Sequence, residues 1–184
     1  KFKEFMGVES IVMYNKVDEK RFYKKVDGTI IRNKYNLNNS PVILYVGRLA
    51  QQKGVDLLIK AFHLVKKVML NAKLVIVGDP TFEYYYMQLK NLSDESIIFA
   101  GHVSYEEMPY YYAMCDIYAT CSLWENHNLP VLEAQMCGKP VVAFDIDSFR
   151  EEVDKNGILV KKRDIEEFAK ACINKISEVR GYKA

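Results

Sequence analysis

Five short apolar runs recur along this chain: Val42 to Val46, Leu74 to Val77, Ile97 to Phe99, Ile117 to Thr120 and Val141 to Phe144. Strands wet on one face alternate apolar and polar residues, whereas runs like these must be covered on both faces. Between them lie helical patterns. Leu57, Leu58, Ala61, Phe62, Val65 and Val68 share one face, and Tyr84 to Leu92 reads as a second helix. Ser104-x-x-Glu107 is a capping box for a helix to about Met114, and Ile165 to Ile176 is a final amphipathic helix.

Strands alternating with helices predict an α/β chain with a Rossmann-like parallel sheet and helices on both faces. At 184 residues the chain fits one domain with a substantial core. Its 26 basic and 24 acidic side chains leave a net charge of only +2, which argues against nucleic acid as a partner. No apolar run approaches a membrane span, and Lys-Phe-Lys-Glu-Phe is not a signal peptide. Without an initiator Met, the sequence is expected to be a piece of a longer protein. Cys115, Cys121, Cys137 and Cys172 lack C-x-x-C spacing, which predicts free buried thiols of a cytoplasmic protein rather than a zinc site or disulfides.

Ligands of parallel sheets bind outside the carboxyl ends of the strands, and the suggestive loops here all lie there. After the first strand comes Gly47-Arg48-Leu49-Ala50-Gln51-Gln52-Lys53-Gly54, opening a helix. Arg48 offers a planar fork and Lys53 a compact charge, a pair able to neutralise a diphosphate. The order of residues is not that of a P-loop. After the fourth strand, Trp124 to Pro140 runs through a polar loop into a short helix with Leu129 and Pro130 in its first turn and Gly138 past its end. Glu125 falls in the loop and Glu133 one turn into the helix, so both acids are expected to face one volume beside free helix N–H groups. Acids near a helix start are also common simply because they complement the dipole.

Taken together, Gly47-Arg48-Leu49 to Lys53-Gly54, the E-x7-E pair Glu125 and Glu133, and Cys137-Gly138-Lys139-Pro140-Val141 resemble the donor-binding half of a family 4, or group 1, glycosyltransferase of the GT-B fold. Tyr14-Asn15-Lys16-Val17-Asp18 to Phe22 is similar to that family's N-G-V-D-x-x-x-F lead into its C-terminal domain, and Gly157-Ile158-Leu159-Val160 to its G-x-L-V close. The resemblance implies an interdomain linker and opening strand over residues 1–14 and a nucleotide-sugar-binding domain over 15–184, with an N-terminal acceptor domain missing. It implies transfer of a sugar with retention of configuration from a UDP- or GDP-sugar, with no cofactor and no metal. Arg48 and Lys53, with backbone at Gly47, would hold the diphosphate and stabilise the leaving charge. Glu125 would bind hydroxyls of the transferred sugar, and Glu133 those of the ribose. Leu129 and Pro130 would set the helix start against the phosphates, and backbone around His102 and Val103 would hold the base. Family members that touch the inner face of the membrane do so through the missing domain.

The chain departs from the family's Glu-Gly-Phe-Gly-Leu-Pro at Glu125-Asn126-His127-Asn128-Leu129-Pro130. Asn tolerates left-handed backbone and can cap a helix, so the turn is expected to survive with a changed lining that includes Asn128 and gives His127 a donor contact. Asp147-Ser148 stands for a Gly-Gly, and Gly78-Asp79-Pro80 for a G-D-G. Asp145-Ile146-Asp147 matches the metal-binding D-x-D of the other large glycosyltransferase fold, a reading set aside because Arg48 and Lys53 already supply the charge. Two rivals stand beside the transferase: a nucleotide-sugar epimerase or phosphorylase, and a non-catalytic nucleotide-binding module. The Tyr84–Tyr86 and Tyr110–Tyr112 triplets are expected to pack one or two rings each, and Lys161 to Arg163 to be a solvated turn.

Overall fold

A computed structural model describes Gly7 and residues 16–182 of the chain; the opening strand expected at Ile11 to Tyr14, and the linker apart from Gly7, lie outside the described residues. Six strands form one parallel sheet: β1 (Val42–Val46), β2 (Lys73–Val77), β3 (Ile97–Gly101), β4 (Ile117–Thr120), β5 (Val141–Phe144) and β6 (Ile158–Val160). Their order is β3-β2-β1-β4-β5-β6. The sixth strand exceeds the five expected: Ile158 to Val160, read in the sequence only as the G-x-L-V close, gains its pairing from β5.

Among the described residues the α-helices are α1 (Thr29–Lys34), α2 (Val55–Val68), α3 (Glu83–Leu92), α4 (Met108–Met114), α5 (Leu129–Met136), α6 (Asp147–Glu152) and α7 (Ile165–Arg180). Side chains alternate across a strand, so each apolar run feeds two cores. Ile43, Tyr45, Leu74, Ile76, Ile117 and Ala119 pack under α2, α3 and α7. Val42, Leu44, Val75, Val77 and Tyr118 pack with Phe22, α1, α4, α5 and Phe149 of α6. This is the Rossmann-like arrangement expected. All four cysteines are free and buried within it.

Three local expectations are corrected. Val68 is 65% exposed rather than on the buried face of α2, where Val55 and Ile59 take part instead. Ser104 and Glu107 do bond to each other, with Glu107 N–H donating to Ser104 Oγ, but they close a turn that precedes α4, and Glu107 itself is the residue before the helix. The final helix runs on to Arg180, whose guanidinium donates to Asp116 and to the carbonyls of Asn39 and Ser40. Those bonds hold the C-terminal helix to the amino end of β1, a contact of far-separated residues that local pattern does not carry.

Candidate functional site

The sheet order reverses between β1 and β4, so the chains leaving these two neighbours diverge and open a crevice at their carboxyl ends. The loop from β1 is held from both faces of the sheet. Tyr45 Oη donates to the Arg48 carbonyl at 3.1 Å, and Tyr118 Oη to the Val46 carbonyl at 3.3 Å. Between them Gly47 has φ +153°, and a Cβ there would press on the Tyr45 hydroxyl. A single 3-10 turn, Gln51–Lys53, then leads to Gly54 at φ +60°. A side chain at Gly54 would collide with the Cys121 carbonyl, so the start of α2 needs both left-handed backbone and bare space there.

That close approach is one of several ties between the two loops. Leu123 N–H donates to the Gln52 carbonyl at 2.9 Å, and Gln52 Nε2 donates to the Trp124 carbonyl at 2.9 Å. Lys53 Nζ lies 2.6 Å from Glu125 Oε1, with the side chains only 17% and 5% exposed. Ser122 Oγ and Asn128 Nδ2 donate to the same oxygen, at 2.8 and 3.1 Å. Three donors therefore converge on Oε1, while Oε2 accepts no hydrogen bond among the described residues. Lys53 is thus drawn to an acid across the crevice and not held beside Arg48 alone. The Arg48 guanidinium is exposed and unpaired among the described residues.

Asn128 precedes α5 with φ −119°, and its side chain does not cap the helix. The left-handed and capping roles foreseen for this asparagine are therefore not taken up, because its amide turns back to Glu125. Glu152 of α6 takes over instead. Both its oxygens accept the Asn128 N–H, at 3.1 and 3.2 Å, and Oε1 lies 2.6 Å from His127 Nδ1. Burial raises the Glu152 carboxyl above its ordinary value, against the lowering effects of Asn128 N–H and His127. Gln135 ties α5 to the end of α6, donating to the Glu152 carbonyl and accepting from Asp154 N–H.

Glu133, on α5, is 9% exposed and accepts from Tyr112 Oη at 2.7 Å. Burial raises its carboxyl, and the Tyr112 hydroxyl offsets part of that. Glu125 and Glu133 share a neighbourhood without touching: burial first, then both carboxylates, push the Tyr118 phenol well above its ordinary value. His102, at the exit of β3, is exposed, with Nδ1 3.1 Å from Asp79 Oδ2, and Val103 next to it is half-buried.

Gly47, Lys53, His127, Asn128, Leu129 and Pro130 line one cleft of about 250 Å³ floored by Tyr45 and Val46. Six residues singled out from sequence, counting His127, are thus brought together, and Glu125 lies directly behind Lys53 and Asn128. Arg48, His102, Val103 and Glu133 do not line that cleft. Larger hollows occur elsewhere, one of about 610 Å³ between α2 and α3 and one of about 830 Å³ beside the ends of α2 and α7. The first includes Gln51 and Leu123, from the loops after β1 and β4, but shares no residue with the cleft, and the second touches neither loop. Asp145 and Asp147, the D-x-D pair, both bind the Arg150 guanidinium on the surface. No group of three His, Cys, Asp or Glu among the described residues is arranged to hold a metal.

Several contributing residues carried no signal in the sequence. Tyr45, Tyr118 and Tyr112 read as core aromatics, yet their hydroxyls set the β1 loop and Glu133. Gln52 and Ser122 carried no assigned role. Nothing in spacing ties Glu152 to His127, since only the adjacency of β4 and β5 brings their loops together.

The family model described as glycosyl transferases group 1 matches residues 27–179. A GDP-mannose-dependent alpha-(1-6)-phosphatidylinositol monomannoside mannosyltransferase of Mycolicibacterium smegmatis is 30% identical over 176 residues, covering 89% of this chain and 46% of that enzyme. Among solved structures, HepE of Anabaena in complex with UDP and glucose superposes with a TM-score of 0.84 at 26% identity, over 92% of this chain and 48% of that one. The C-terminal domain of LpcC, a glycosyl transferase group 1 family protein of Francisella tularensis, shares the fold at a TM-score of 0.65 and 23% identity, over 89% of this chain and 97% of that domain. The chain spans about half the length of the Mycolicibacterium enzyme and of the HepE chain. With the family model covering most of its length, the chain belongs to the glycosyl transferases group 1 family.

Proposed function

We propose that this chain is the donor-binding half of a retaining, family 4 glycosyltransferase of the GT-B fold, holding a UDP- or GDP-sugar while a second domain presents the acceptor. The observation that carries the proposal is the cleft at the β1/β4 reversal, where Lys53, backed by the Glu125 carboxylate, meets a helix start. A parallel sheet offers ligands that position, and the residues there match a molecule with both a diphosphate and hydroxyls. HepE, the similar protein of Anabaena, was crystallised with UDP and glucose, and the mycobacterial relative uses GDP-mannose, which supports both bases. The match to LpcC's C-terminal domain supports the assignment of domain.

In this reading Arg48 and Lys53 carry the positive charge that stabilises the departing diphosphate, so the nucleotide-sugar is the substrate and no metal or cofactor is required. Lys53 reaches the phosphate from its seat on Glu125, which keeps the ammonium oriented before the ligand arrives. Glu125 Oε2 remains for a sugar hydroxyl, and Glu133, already holding Tyr112, for the ribose. The chain works at the cytoplasmic side, and any membrane contact belongs to the partner domain. A thermal-shift titration with UDP, GDP and their sugar conjugates tests this. At about a hundred times the dissociation constant a ligand should add roughly 2.7 kcal/mol of stability. Protection by one nucleotide, lost in Arg48→Ala with Lys53→Ala, is the expected result. Protection that survives the double substitution would move the phosphate elsewhere.

A further inference from the structure

We propose that Glu152 is a positioning residue for sugar recognition, holding His127 so that its second ring nitrogen and the Asn128 side-chain oxygen Oδ1 together receive hydroxyls of the bound sugar. The inference rests on the donor-binding reading and names what would select the sugar within it. Glu152 Oε1 lies 2.6 Å from His127 Nδ1, with the two side chains 7% and 22% exposed. A carboxylate can only accept, so Nδ1 carries the proton and Nε2 is left to be satisfied by something else. Nothing among the described residues does so: His127 Nε2 and Asn128 Oδ1 are both buried without a hydrogen-bond partner. Asn128 is 6% exposed, and its amide nitrogen is already committed to Glu125.

Two unmet polar atoms on adjacent residues are costly, since buried polar groups are nearly always paired. Both residues line the small cleft with Lys53. The group that answers both atoms is a hydroxyl. A hydroxyl can donate to Asn128 Oδ1, which only accepts, and can accept from Nε2 when that nitrogen carries a proton; when Nε2 is an acceptor, a neighbouring hydroxyl of the sugar donates to it. A phosphate oxygen fails on Oδ1, acceptor facing acceptor. The polar wall formed by His127 and Asn128 therefore suits the sugar end of a nucleotide-sugar, and Lys53 opposite suits the phosphate end. Glu152 serves this without reaching the ligand: besides orienting the ring, it pins the backbone of Asn128 through both oxygens.

The test compares a nucleotide with its own sugar conjugate, GDP against GDP-mannose and UDP against UDP-glucose, by calorimetric titration of the wild-type chain, His127→Ala, Glu152→Ala and Glu152→Gln. In wild type the conjugate should bind more tightly than the nucleotide. His127→Ala and Glu152→Ala should lose about tenfold in affinity for the conjugate, the worth of one good hydrogen bond, and less than about twofold for the nucleotide. Glu152→Gln keeps an acceptor oxygen and should restore most of the preference. Equal weakening of nucleotide and conjugate would mean a purely structural role and overturn the proposal, as would an unchanged preference in His127→Ala. That variant removes only the ring, so the test survives if Glu152→Ala fails to fold. If neither nucleotide binds wild type, the donor-binding reading falls and this inference falls with it; if nucleotides bind and the preference does not depend on His127, only the inference falls.

Discussion

Lys53→Met and Glu125→Gln should each destabilise the chain, and together they should cost far less than the sum. The pair is 2.6 Å apart with Glu125 5% exposed. Removing one partner of a buried ion pair costs roughly 3–5 kcal/mol because the other charge stays desolvated. Glu125 without Lys53 still receives Ser122 Oγ and Asn128 Nδ2, so the low end, about 3 kcal/mol, applies to Lys53→Met. Glu125→Gln leaves an amide oxygen for the ammonium, and Lys53 is the more exposed partner, which brings its cost to about 2 kcal/mol. With both charges gone there is no stranded ion, and the double variant should lose only about 2–3 kcal/mol, a coupling of roughly 2–3 kcal/mol. For a chain of this size each kcal/mol moves Tm by about 2–4 °C, so thermal unfolding monitored by circular dichroism resolves all three variants. Losses that add to within about 0.5 kcal/mol would show that the two side chains act independently and would refute the account of a stapled crevice.

Further outcomes are expected from single changes. Arg48→Ala should leave stability within about 0.5 kcal/mol of wild type, since its side chain is exposed and bonds to no other described residue, yet weaken diphosphate binding by roughly 10- to 100-fold, read by nucleotide titration. Gly54→Ala should cost at least about 2 kcal/mol, through left-handed strain and collision with the Cys121 carbonyl; an unchanged Tm would contradict that geometry. Glu133 has its folded pKa raised by burial, so the stability it contributes is present below its unfolded pKa and is lost as pH rises through the folded one. Glu133→Gln should therefore match wild type near pH 4 and gain on it toward pH 7, while binding nucleotide less well; a gain that appears instead at acid pH would reverse the assigned sign.

What the sequence made legible follows from which forces are local. Apolar runs such as Val42–Val46 and Val141–Phe144 could only be doubly covered strands, so the layered parallel sheet was readable, and the loops at its carboxyl ends followed. Gly54 and Gly138 marked helix boundaries because both hold backbone that other residues resist. Partners across the sheet were not readable. That Lys53 would meet Glu125 depends on β1 lying beside β4, and that His127 would meet Glu152 depends on β4 lying beside β5. Asn128 shows the limit most directly, because its local chemistry favoured a cap and the tertiary offer from Glu125 prevailed. Val68 failed for a similar reason, since periodicity names a face but not where the sheet beneath it ends.

The three acids of the crevice share a division of labour that bears on how its substitutions should be read. Among the described residues, Glu125 spends Oε1 on three internal donors and leaves Oε2; Glu133 spends Oε2 on Tyr112 and leaves Oε1; Glu152 spends both oxygens on Asn128 and His127. The first two can therefore hold the fold and a ligand at once, one edge for each, whereas Glu152 can act only through the residues it holds. Alanine at either of the first two removes both functions and cannot separate them. Glutamine can, because it keeps one acceptor oxygen and places a donor where the second acceptor stood. At Glu125 and Glu133 that donor would face a hydroxyl-bearing ligand and change its affinity. At Glu152 glutamine should be nearly silent, provided its oxygen stays on His127 Nδ1. The contrast between two sensitive positions and one tolerant one, measured on the same ligand, distinguishes carboxylates that meet the donor from one that only aims its neighbour.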